Sequence, residues 1–339
     1  MRVWMPCIFG LALTPALTGC VAAVVAIPAA TGGLMVKGRS GQETPESSAP
    51  RATRKPQKAA PAAAQSPQPV QPATPPAGMQ YLYGSGEGAA LSIQAFHSLL
   101  DYVDAVQLVR PLDSVVLASG ATFENPAFVP CAEKPFAVVF DVDETMILNL
   151  GYEYDDARTG QGFDSARWDN WEKTGADKVA AVPGAQFAVN TLRKQGITVI
   201  FNTNRSSANA DATVAAIAAA GLGSAVHGDT LFLSGDDDMG SRKDGRRWTI
   251  SEKYCVIAMG GDQLGDFSDL FNQDQSVGER RNAASAAGIS NLWGNGWFIL
   301  PNPVYGSGVK GGFDDVFPLD KRWPDAAPVA DAPPQTAPD

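Results

Sequence analysis

The chain has 339 residues, of which 45% are hydrophobic and 18% charged, enough apolar material to bury a sizeable core. Its formal net charge of −10 excludes a broad cationic surface for a nucleic-acid polymer, while leaving room for a local site that takes small phosphorylated molecules. Only two histidines are present, His97 and His227, which argues against a histidine nucleophile or a histidine-rich zinc or iron centre.

From the amino terminus, residues 1–19 read as a signal peptide. Met1 and Arg2 precede an apolar stretch too short to span a bilayer, ending at Leu17-Thr18-Gly19-Cys20. Leu-Thr-Gly-Cys resembles a bacterial lipobox, which would make Cys20 the lipidated first residue of a membrane-anchored, extracytoplasmic lipoprotein, expected at the outer membrane and facing the periplasm or the surface. Residues 20–79 are expected to form an anchored, disordered tether, because the stretch from 41 is dominated by Pro, Ala, Gln and Ser without apolar periodicity. The Ala/Pro-rich tail 323–339 is read the same way, which leaves 80–322 for one globular domain.

Within that domain, Leu91 to Val109 has the pattern of an amphipathic helix. Phe136 to Phe140 is short, apolar on both faces and rich in β-branched residues, as expected of an interior parallel strand, and it ends in Asp141 and Asp143. In an extended chain these two carboxylates would point to the same side, and they would repel unless a cation lies between them or one holds a proton. Residues 146–182 carry Tyr152, Tyr154, Phe163, Trp168 and Trp171, and are expected to form a small, mostly helical cap inserted after the first strand. Trp168 and Trp171 would share a helix face, where they could pack within the cap or offer stacking surface to a nucleobase.

Further on, 184–194 and 208–220 read as helices flanking a second strand, 196–205, whose carboxyl end delivers Thr203, Asn204 and Arg205. A third strand, within 254–267, delivers Asp262 and Asp266. The pattern predicts an α/β fold, a Rossmann-like parallel sheet with helices on both faces, whose active edge lies at the carboxyl ends of the strands. Gly306-Ser307-Gly308 is not a phosphate loop, since no Gly-Lys-Ser/Thr follows.

Asp-x-Asp-x-Thr, Thr-Asn and Gly-Asp-x-x-x-Asp, each after a strand and in this order, resemble the haloacid dehalogenase superfamily of phosphotransferases. Within it, Arg167-Trp168-Asp169-Asn170-Trp171, Ala181-Val182-Pro183-Gly184-Ala185 and Phe201-Asn202-Thr203-Asn204-Arg205 are similar to the class C acid phosphatases, the lipoprotein 5'-nucleotidase family. The similarity covers roughly 88–300. It implies a Mg²⁺-dependent acid phosphatase acting on phosphomonoesters, nucleoside 5'-monophosphates above all, through an aspartyl-phosphate.

By the same resemblance, Asp141 is the nucleophile and Asp143 the general acid and base. Asp141, Asp262 and the backbone carbonyl of Asp143 would hold the metal, with Asp266 orienting them. Thr203 would bind the phosphoryl group with Asn204 and Arg205 near it, and Tyr152, Trp168 and Trp171 would meet the substrate. The lysine that the family requires is Lys243, because Lys253 precedes the third strand and would stand roughly 30 Å from the active edge at about 3.3 Å per residue. In the superfamily's sheet the first and third strands are parallel neighbours, so Cys131 and Cys255 would meet as a disulfide, or stay as two small buried hydrophobes. The competing reading is a surface lipoprotein that binds a ligand on this fold without turnover. The sequence leaves open whether the chain pairs as a homodimer.

Overall fold

The computed structural model describes residues 74–272 and 275–323. The signal peptide, Cys20, most of the tether and the tail from 324 lie outside the described residues. Five strands form one parallel sheet in the order β7-β6-β3-β8-β9: β3 (Phe136–Phe140), β6 (Thr198–Ser206), β7 (Leu231–Ser234), β8 (Cys255–Gly261) and β9 (Trp297–Ile299). β3 is the middle strand. The expected α/β class and strand context are therefore what the chain adopts.

Alternate residues of each strand feed two cores, as a pleat demands. Val138, Phe140, Val199 and Phe201 pack on one face against α1 (Gly86–Leu108), α4 (Ala185–Lys194) and α5 (Ala210–Ala219). Ala137, Val139, Ile200 and Val256 pack on the other, against Ile250 of α6 (Asp244–Lys253) and the antiparallel pair β1 (Asp113–Leu117) and β2 (Phe128–Pro130). The phase slips in β8, where Ile257 and Ala258 both join the first core and the pairing with β3 is irregular between Ala137 and Val138. Cys131 and Cys255 are joined by a disulfide beside the amino ends of β3 and β8, with their Cα atoms 4.6 Å apart.

The segment after β3 rises over the carboxyl edge of the sheet. It begins with β4 (Ile147–Leu148), continues as α2 (Leu150–Thr159) and α3 (Ser165–Thr174), and returns through β5 (Ala180–Ala181), which pairs antiparallel with β4. Residues 74–79, expected to end the tether, are among those described. Met79 is buried, and a Cβ at Gly78 would stand 2.1 Å from the carbonyl oxygen of Pro303, so this stretch packs on the domain. Among the described residues no helix is long and apolar enough to cross a membrane.

Candidate active site

The chain leaves β3 through a tight loop: the amides of Met146 and Ile147 both donate to the carbonyl of Val142, and Glu144 N donates to Ile147 O at 2.8 Å. Glu144 sits at φ 57°, a conformation that side chains other than glycine rarely adopt. Four donors hold it there: Tyr83 Oη at 3.2 Å, the Asn149 backbone amide at 2.9 Å, Asn149 Nδ2 at 3.1 Å, and Tyr305 Oη. Burial, followed by the charge of Asp143, raises the Glu144 carboxyl to about 8.

Asp141, immediately after β3, and Asp262 and Asp266, after β8, offer carboxylate oxygens that all lie within 4.8 Å of one another. Lys243 Nζ donates to Asp141 Oδ1 and, at 2.7 Å, to Asp266 Oδ1. This lysine is fully enclosed and is placed by its backbone. Asp269 accepts from the amides of Lys243 and Asp244, both at 2.8 Å, so one carboxylate satisfies two free N–H groups where α6 begins. Lys253 lies at the other end of the strand, exposed and 3.8 Å from Asp229. Asp262 is fixed by Thr145 Oγ1 at 2.9 Å, Gln263 Nε2 at 2.9 Å and Asn302 Nδ2 at 2.7 Å. The turn to Asp266 needs the glycine before Asp262, because a Cβ at Gly261 would fall 2.3 Å from the Asp266 Cβ.

Burial is the largest influence on Asp141 and raises its carboxyl well above the usual range, against the pull of the Lys243 ammonium. Asp262 is pushed up to about 7 by burial and then by the charge of Asp266. Three carboxylates sharing a single ammonium are short of positive charge. An all-oxygen donor set with that deficit fits a hard divalent cation.

Asp143 lies near enough to Asp141 for its charge to help raise that carboxyl, and its own partners come from other elements. β3 ends at Phe140, the alternation of an extended chain does not reach the loop, and the Asp143 carboxylate meets Arg205. Arg205 Nη2 and Nε donate to Asp143 Oδ1 at 2.7 and 2.9 Å, and Asn149 Nδ2 donates to the same oxygen at 2.9 Å. Arg205 is buried, with Asn149 Oδ1 also accepting from its Nη2 at 2.8 Å. Thr203 Oγ1 is buried and lies 3.4 Å from Asp143 Oδ2. Asn204 is exposed, and its Oδ1 accepts from Arg246 Nη2 at 2.8 Å.

The cap aromatics face one another. Tyr152 is buried, with Trp168 edge-on at 5.0 Å and Trp171 at 6.1 Å. Trp171 Nε1 donates to Asn149 Oδ1 at 3.0 Å, and the Arg205 guanidinium lies 5.8 Å from the Trp168 ring centroid. Tyr152 is enclosed by this packing, while Trp168 and Trp171 remain half-buried. An apolar cleft of about 740 Å³ lies beside α2, lined by Tyr81, Tyr83, Leu150 and Tyr154 among others, and Tyr83 joins it to Glu144.

Glu144, Asn149, Asp269, Asn302 and Tyr305 were not singled out from the sequence. Glu144 and Asn149 lie within or just after the Asp-x-Asp-x-Thr run, and Asp269 three residues past Asp266, so proximity to the motifs was a usable signal. Asn302 and Tyr305 arrive on the segment after β9, with no local pattern to mark them.

A parallel core that gathers Asp141, Asp262, Asp266 and Lys243 at the carboxyl edge, beneath a cap inserted after the first motif, defines a phosphotransferase fold of the haloacid dehalogenase type. The chain belongs to the HAD superfamily, subfamily IIIB (acid phosphatase), whose family profile matches residues 96–308. It is 29% identical over 174 residues to acid phosphatase 1 of Solanum lycopersicum, an alignment that takes in 49% of this chain and spans only 57% of that relative's length. Among solved structures it is similar to the class C acid phosphatase from Bacillus anthracis with tungstate bound, at 24% identity and a TM-score of 0.56, covering 68% of this chain and 84% of that one. A second structure of the Bacillus anthracis enzyme gives a TM-score of 0.55. At that identity the likeness concerns the fold.

Proposed function

We propose that the chain is a Mg²⁺-dependent phosphomonoesterase that works through an aspartyl-phosphate. The carrying observation is the buried cluster in which Lys243 bridges Asp141 and Asp266 while Asp262 lies within the same 4.8 Å group. Asp141, Asp262 and the Asp143 backbone carbonyl would hold the cation, with Asp266 orienting them. When bound, it neutralises charge on the transferring phosphoryl group. Tungstate, a tetrahedral oxyanion, is bound in the Bacillus anthracis relative; the phosphoryl group is the equivalent anion proposed here.

An Asp141 oxygen attacks phosphorus, the ester P–O bond breaks, and Asp143 gives its proton to the departing alcohol oxygen. Asp143 then takes a proton from water as that water attacks the phosphorus of the acyl phosphate, releasing phosphate and restoring Asp141. Lys243 keeps fixed positive charge beside the nucleophile through both steps. Thr203 offers a hydroxyl to the phosphoryl oxygens. Nucleoside 5'-monophosphates are the favoured substrates, supported by the aromatic surface that Tyr81 and Tyr154 give the cleft beside α2. A screen of nucleoside, sugar and alkyl phosphates in which nucleotides are the poorest substrates would remove that preference.

The experiment is hydrolysis of p-nitrophenyl phosphate by the purified chain, with and without EDTA, beside Asp141→Asn. Turnover lost to EDTA, restored by Mg²⁺ and reduced by at least about 10⁴-fold in the variant is expected. Full activity in either Asp141→Asn or EDTA refutes the corresponding part. The lipobox-like Leu17-Thr18-Gly19-Cys20 supports a lipid-anchored, extracytoplasmic location, checked by whether Cys20→Ser moves the chain from the membrane to the soluble fraction.

A further inference from the structure

The two oxygens of Asp143 are not equivalent. Oδ1 receives three donors at 2.7, 2.9 and 2.9 Å, from Arg205 Nη2, Arg205 Nε and Asn149 Nδ2. Oδ2 has only longer contacts, 3.2 Å from Arg205 Nε and 3.4 Å from Thr203 Oγ1. Oδ1 is saturated, and Oδ2 retains capacity to carry and exchange a proton.

The orientation of the Asn149 amide is dictated by its partners. Its Oδ1 is met by Arg205 Nη2 at 2.8 Å and by Trp171 Nε1 at 3.0 Å. Guanidinium and indole N–H groups can only donate, so the oxygen must face them and the NH₂ must face the carboxylates of Asp143 and Glu144. Asn149 is completely buried, which makes a reversed amide costly. Trp171 is itself held in a slot, since a Cβ at Gly151 would lie 2.8 Å from its ring and one at Gly175 would lie 2.3 Å from it. The next residue, Glu172, ties the same helix to the sheet by accepting from Ser206 N at 3.1 Å and Asn209 Nδ2 at 2.7 Å.

We propose that Trp171 and Asn149 are positioning residues through which the cap commits Asp143 Oδ1 to fixed donors and leaves Oδ2 as the oxygen that exchanges the proton with the leaving group. This rests on the phosphomonoesterase reading. Without the indole N–H, Asn149 Oδ1 keeps only Arg205 Nη2 as a donor, the amide loses its tie to the cap helix, and Asp143 loses registry with the departing oxygen. The defect is then confined to protonation of the leaving group.

The test compares kcat/KM for p-nitrophenyl phosphate, whose leaving group needs little protonation, with that for an alkyl phosphate such as glycerol 2-phosphate, whose leaving group needs a proton. kcat/KM reports the first chemical step irrespective of how fast the acyl phosphate is hydrolysed. Trp171→Phe keeps a ring in the slot and removes only the donor; it is expected to lower the alkyl-to-aryl ratio about 10-fold, and Asn149→Leu about 100-fold, within the range of general-acid contributions. A loss shared equally by both esters, or an unchanged ratio in Trp171→Phe, overturns the proposal. A wild type that hydrolyses neither ester overturns the phosphomonoesterase reading instead, so the two failures are distinguishable.

Discussion

The sheet core and the cap meet at the same carboxylates, yet they are held by different forces. β3 and β8 bury apolar side chains on both faces, whereas α2 and α3 bury only Tyr152, Glu153 and Glu172. The core is a matter of area removed from water, which is non-directional and tolerant of small shifts. The base of the cap shares that core through Ile147, Leu148 and Val182, and its helices add directional contacts, Trp171 to Asn149 and Glu172 to Ser206 and Asn209, which work at one geometry and fail quickly away from it. A core of the first kind fixes where Asp141 and Asp262 stand. The directional contacts of the cap helices set the finer orientation of Asp143.

This contrast can be broken at the disulfide, where the largest effect is expected. Cys131–Cys255 closes a sequence separation of 124 residues within the core, at the amino ends of β3 and β8, whereas the cap rises from the carboxyl end of β3. Replacing both cysteines by serine is expected to lower stability by about 2–5 kcal/mol in denaturant unfolding. The alkyl-to-aryl ratio should stay unchanged. A shift in that ratio would mean that core and cap are not separable as described.

A smaller effect sharpens the comparison from the cap side. Glu153 is raised to about 7, by burial first and by Asp156 second, with Arg167 opposing. A carboxyl raised on folding binds its proton more tightly in the folded state. Its contribution is therefore full below the unfolded value of 4.5 and is lost as pH rises through about 7. Glu153→Gln is expected to match the wild type near pH 4 and to exceed it by about 1–2 kcal/mol at pH 8, measured by unfolding at both pH values. Equal stability of the two proteins at pH 8 would show that Glu153 is not penalised by its burial.

Much of the core was legible because its signals are local and periodic. Phe136–Phe140 was delimited to the residue, and α4 to within one residue of its start. The small strands β1, β2, β7 and β9 were not, being three to five residues long with no alternation to distinguish them from loops. At the site, Lys243 could be chosen over Lys253 by distance along a strand alone. The partners of Arg205, Trp168 and Trp171 were not legible, because a motif names a residue type without stating which neighbour reaches it first.

Sequence by itself determined the α/β class, the acids at 141, 262 and 266 that end two strands, and the pair of cysteines able to meet, since strand periodicity and parallel pairing are read from near neighbours. Only the tertiary structure decided that Asp143 turns to Arg205, that Asn149 joins it to the cap, and that Asn302 and Tyr305 close the site from beyond β9. Those choices depend on donors and acceptors brought together from distant parts of the chain, in places where a buried polar group must find whichever partner the packing supplies.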